Sequence, residues 1–128
     1  MTDPMIVGWS HTRFGKSDAP DTRALMAEAV PAALEHAGIS AADVDGIFTG
    51  VFNNGFSAQD FQGALVGMAV PELAHVPATR YENACATGSA AMKSMAPCSA
   101  AGRGRIALVV GAEKMTATPT AQVGDILL

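Results

Sequence analysis

Along the chain, short apolar runs alternate with broader stretches of helical spacing. Met5–Trp9 reads as a strand, followed by a polar loop through His11, Arg13 and Lys16 to Pro20. Asp21 or Thr22 can cap a helix that places Leu25, Met26, Ala29, Val30, Ala33, Leu34 and Ala37 on one broad face. Gly38 is its natural stop and His36 lies near its negative end. Pro31 falls inside that helix and is expected to kink it, having no N–H and crowding the preceding turn. Residues 40–43, Ser-Ala-Ala-Asp, form a capped turn into a strand over 46–52. Residues 53–55, Asn-Asn-Gly, end that strand, and residues 57–60 cap a second helix with Phe61, Ala64 and Leu65 facing inward. An extended stretch from His75 to Tyr81 leads to Cys85, a small-residue helix runs from about Cys85 to Gly102, and residues 106–110 form a buried strand. The order β-α-β-α-β-α-β predicts an α/β fold with a mainly parallel sheet and helices on both faces.

Composition sharpens this picture. With 128 residues the chain is one domain, 1–128, long enough to bury a core without staples. Charged residues are only 16% of the chain, which has 20 charged side chains where roughly 32 would be usual. That deficit excludes disorder and predicts that further protein covers much of the surface, as a second copy or a missing half. A net charge of −4 offers no basic field for nucleic acid. No apolar run reaches the 18 or so residues that span a membrane, and residues 1–5 lack the form of a signal peptide. Cys85 and Cys98 are too few for a disulfide framework, and no Cys/His cluster suggests a metal, so a cytoplasmic location with reduced thiols is expected.

The chemistry concentrates in residues 80–91, Arg-Tyr-Glu-Asn-Ala-Cys-Ala-Thr-Gly-Ser-Ala-Ala. They place Cys85 where an extended strand turns into a helix, so that unpaired N–H groups and the helix dipole favour an anion on sulfur. Gly88 and its small neighbours leave room for a substrate, and the Cys85 N–H is placed to meet an oxyanion. The arrangement is the strand–turn–helix elbow of hydrolases with sulfur in place of oxygen. Against this stands a buried cysteine that merely fills a gap. His11, His36 and His75 have no local signature of a base for that thiol. Residues 102–104, Gly-Arg-Gly, precede a strand and do not form a dinucleotide loop. Glu113 and Lys114 after the buried strand could approach the active site, but read first as a structural pair tying the strand end to its neighbours, with Met92, Met95 and Met115 as core or pocket-lining fillers.

Residues 82–91 resemble the nucleophile motif of the thiolase superfamily, in the branch of sterol-carrier-protein-type thiolases. Residues 101–103 and 108–115 resemble the helix end, strand and turn that follow that motif, and 37–39 with 43–47 match the family's first helix end and second strand. The resemblance implies one incomplete half of a duplicated thiolase-type fold, with a five-strand-like sheet. It implies an acyltransferase in which Cys85 takes an acyl group from acyl-CoA as a thioester, for Claisen condensation or thiolytic cleavage of 3-ketoacyl-CoA. Coenzyme A thioesters would be substrates, with no bound cofactor and no metal. Arg103 and Arg105 could attract a phosphate of coenzyme A, but read first as solvated loop charge. The activating histidine, the acid–base cysteine and a further oxyanion donor would come from a second half. Cys98, mid-helix and without a Cys-x-Gly context, cannot replace that second cysteine, and Pro97 inserts a breaker into the same helix. The family's homo-oligomer pairs through the strand before the nucleophile, here 75–84. The alternatives are a non-catalytic partner or scaffold subunit, beside an OB-type partner chain, a truncated inactive fragment, and a stand-alone cysteine hydrolase.

Overall fold

The computed structural model describes residues 4–53, 55–57, 61–100, 102 and 104–127, with 96–100 described by their backbone. Helix α1, Thr22–Ala37, starts where the Asp21 carboxylate accepts from Ala24 N at 2.8 Å and stops at Gly38, whose φ of 67° is left-handed. The helix continues through Pro31. The carbonyl that the proline ring cannot serve belongs to exposed Ala27, where water can stand in for the missing donor. Ser40 and Asp43 close the following turn, the carboxylate accepting from both Ser40 N and Ser40 Oγ at 2.7 Å.

Strand β1, Gly46–Val51, is buried along almost its whole length, as a central strand covered on both faces must be. It pairs in parallel with β2, Ala78–Glu82, on one side and β3, Ala107–Gly111, on the other. The order is β2-β1-β3, a three-stranded parallel sheet among the described residues. Asp45 ties the strand starts together, its carboxylate accepting from Arg105 N at 2.7 Å and Ile106 N at 3.1 Å.

On one face, Ile47 of β1 and Leu108 and Val110 of β3 pack against Met26, Val30 and Leu34 of α1 and Leu65 and Val66 of helix α2, Gln62–Ala69. On the other lies α3, Thr87–Ala100. Gly50 makes the closest approach there: a Cβ at that position would stand 2.7 Å from Thr87 Cγ2. The layered α/β arrangement expected from the alternation of elements is therefore present. A final helix, α4, Thr120–Leu127, rests on the β1–α2 connection, where Asn53 Nδ2 donates to Ile126 O at 3.0 Å.

Two expectations need correction. Met5–Trp9 forms no strand. The segment is held instead on α1: Gly8 packs on Ala37, Trp9 N donates to His36 Nδ1 at 3.4 Å, and Ser10 Oγ donates to Ala29 O at 2.6 Å. Between it and the free edge of β3 lies a cavity of about 450 Å³, floored by the Leu25, Ala29 and Ala33 stripe of α1. Among the described residues the sheet has three strands where a five-strand-like one was expected. In α2 Leu65 faces inward as expected, together with Gln62, Gly63 and Val66, whereas Ala64 faces outward and Phe61, which precedes the helix, is 76% exposed. The expected caps at 58–60, the helix-end residues 101 and 103, and the side chains of Pro97 and Cys98 lie outside the described residues. The backbone is helical through both 97 and 98.

Candidate active site

Parallel strands deliver their C-terminal ends to one rim of the sheet, and ligand chemistry in such folds gathers there. At this rim β2 ends at Glu82, a single 3-10 turn spans Ala84–Ala86, and α3 begins at Thr87. Cys85 sits in that turn as an exposed free thiol two residues ahead of the helix. It does not plug a gap between helix and sheet.

Its position is fixed by neighbours. Buried Thr87 accepts from Asn83 N at 2.7 Å through Oγ1, which also lies 2.8 Å from Ala84 O and 3.1 Å from Val51 O. The hydroxyl thus pins the turn to itself and to the end of β1. Ala86 N donates to Asn83 O at 2.9 Å and closes the turn. Ala84 has a φ of 43°, a left-handed conformation costing an alanine about 1–2 kcal/mol. Strain of this kind persists only where surrounding contacts over-determine it, and here the Thr87 hydroxyl supplies them. Gly88 has nothing within 4 Å of where a Cβ would stand, so the helix start beside the sulfur is open.

Glu113 and Lys114 leave β3 at the same rim. Half-buried Glu113 accepts from Phe52 N at 2.9 Å, and burial raises its pKa against the lowering effect of the Phe52, Asn53 and Lys114 N–H groups. Buried Lys114 donates through Nζ to Ser17 O at 2.7 Å, tying the 11–20 loop to the strand end. Both tie the strand end as the sequence suggested. Arg80 and Glu82 form an ion pair with each other on β2.

The histidines gather elsewhere. His11 stacks on Trp9 with centroids 5.5 Å apart and meets Phe14 tilted at 5.0 Å, and His36 lies 6.1 Å from Trp9 at the end of α1. His75 is exposed before β2 starts, five strand residues away from the rim that carries Cys85. No histidine among the described residues meets the thiol, and no group of acidic, histidine and cysteine side chains there could hold a metal. Arg105 is exposed. Thr87 and the strain at Ala84 escaped the sequence reading. A threonine four residues after Asn83 at a helix start is a signal for the first, but no residue type marked the second.

The thiolase N-terminal domain family matches residues 4–127. The chain belongs to that family. The acetyl-CoA acetyltransferase of Methanocaldococcus jannaschii is 37% identical over 117 residues, and that of Methanothermobacter thermautotrophicus 35% over the same length. Each match covers 91% of this chain and 30% of the relative, so the chain spans about a third of the length of these relatives. Thiolase-family membership places the sequence motif around Cys85 and the parallel sheet beneath it in one framework. No helix among the described residues is long and apolar enough to cross a membrane.

Proposed function

We propose that this chain is the nucleophile-bearing part of a thiolase-type acyltransferase acting on acyl-CoA, with Cys85 as the acyl carrier. The observation that carries the reading is an open thiol in a strained turn between a parallel strand and a helix, in a chain of this family. Cys85 Sγ attacks the thioester carbonyl of acyl-CoA. A carbon–sulfur bond forms to the enzyme, the bond to coenzyme A breaks, and the released thiolate takes up a proton. The acyl group then passes to a second coenzyme A species, by condensation or, in reverse, by thiolytic cleavage. Splitting a carbon–carbon step into two acyl transfers is what a sulfur nucleophile achieves. The Cys85 N–H is one oxyanion donor in this scheme.

A base, an acid and a second oxyanion donor must reach Cys85 from other polypeptide, since the described histidines are held away from it. Covering polypeptide also accounts for Met5, Ile6, Val7 and Trp9, which are 60–80% exposed beside the free edge of β3. That cover is a second half or a partner chain. A second copy of the chain pairs along β2, whose outer edge is exposed. The free thiol fits a reducing compartment, the cytoplasm.

Incubation with acetyl-CoA followed by intact-mass measurement tests the proposal. An acetyl adduct that disappears in Cys85→Ala supports it. Release of free acid would instead indicate a hydrolase, and no adduct in the presence of the complementary half would leave a scaffold subunit.

A further inference from the structure

The end of β1 is gripped at both polar atoms of one peptide unit. Val51 O and Phe52 N belong to the same planar amide, whose carbonyl and N–H point in opposite directions when the bond is trans. No cis peptide occurs among the described residues. Thr87 Oγ1 lies 3.1 Å from Val51 O on one side, and Glu113 Oε2 accepts from Phe52 N at 2.9 Å on the other. The backbone ladder continues beside them, Ala112 N donating to Gly50 O at 3.3 Å. A rigid plane held at opposite edges cannot rotate about the strand axis. Released at one edge, it can turn and take the other contact with it.

We infer that Glu113 is a positioning residue for Cys85. By fixing the 51–52 amide, it fixes the carbonyl against which Thr87 sets the Asn83–Ala86 turn. The inference rests on the proposed role of Cys85 only for its consequence in catalysis; the mechanical link stands apart from it. Glu113 touches no reacting atom in this account, and it acts as a hydrogen-bond acceptor. A neutral amide oxygen at the same place therefore serves nearly as well.

Amide hydrogen exchange in the full-length protein tests the link. In Glu113→Ala, exchange at Asn83 and Ala86 is expected to rise roughly tenfold, the scale of one lost hydrogen bond, while amides of α2 keep their protection. In Glu113→Gln the protection at Asn83 and Ala86 returns. If Glu113→Ala does not fold, Glu113→Asp, too short to reach Phe52 N from an unmoved backbone, carries the same expectation. Unchanged exchange at Asn83 and Ala86, or Glu113→Gln behaving like Glu113→Ala, would overturn the inference. Acyl transfer is measured alongside: kcat is expected to fall about tenfold or more in Glu113→Ala with KM for acyl-CoA little changed, and to recover in Glu113→Gln. Altered exchange without any Cys85-dependent acyl transfer in the unmodified protein refutes the functional reading and leaves the link intact.

Discussion

A hydroxyl one residue deep in a helix decides where the sulfur stands. Thr87 is buried and shares its oxygen among Asn83 N, Ala84 O and Val51 O, so the turn carrying Cys85 is an extension of the sheet rather than a loose loop. That closeness depends on Gly50 having no side chain, since a Cβ there would press on the Thr87 methyl. Gly50→Ala is therefore expected to destabilise the fold by about 1–3 kcal/mol, as overpacking in a filled interior does. Denaturant unfolding of the pair of proteins checks it. Cysteine, small neighbours and a following helix were legible in the sequence because they are local. The left-handed Ala84 was not, since alanine carries no mark of such a backbone and the strain comes from contacts distant in sequence.

At the scale of elements, caps and stops were the most readable features. Asp21, Gly38 and the Ser40–Asp43 box bound their elements through interactions spanning only three or four residues. Met5–Trp9 has the composition of a strand, yet a strand exists only where an edge is within hydrogen-bonding reach, and this segment is anchored to α1 instead. Phe61 stands before the first turn of α2, so the helical spacing that turns Leu65 and Val66 inward does not extend to it. Where elements meet, charge makes a pH signature. The Arg105 and Ile106 N–H groups hold the Asp45 carboxyl below the usual carboxylate range. Its contribution is present above the ordinary aspartate pKa and is lost as the pH falls through the lowered folded value. Burial raises Glu113, so its contribution is full below the ordinary glutamate value and is lost as the pH rises through the folded one. Thermal melts across the acid range should show Asp45→Asn losing part of the acid-side slope, while Glu113→Gln removes the opposing decline at higher pH.

For the whole molecule, a sequence short of charge leaves large apolar residues exposed in the structure. Phe14, Phe61 and the Met5–Trp9 segment stand in solvent in a chain spanning about a third of its relatives. Ile47 N donates to Pro77 O, so the backbone groups of odd-numbered β2 residues face β1 and those of Ala78, Arg80 and Glu82 face outward. On the pairing proposed above, Ala78→Pro removes an outward donor without cutting the β1–β2 ladder and is expected to shift the protein toward monomer in sedimentation. An unchanged oligomer would place the pairing surface elsewhere.

One sulfur carries the proposed chemistry, and digestion isolates it. Trypsin cuts after Arg80 and Lys93, so peptide 81–93 contains Cys85 while Cys98 lies outside it. After incubation of the full-length protein with acetyl-CoA and an acid quench, the acetyl group should be found on peptide 81–93 and be released by hydroxylamine, as a thioester is. Acetyl on any other peptide, with 81–93 unmodified, would contradict the account.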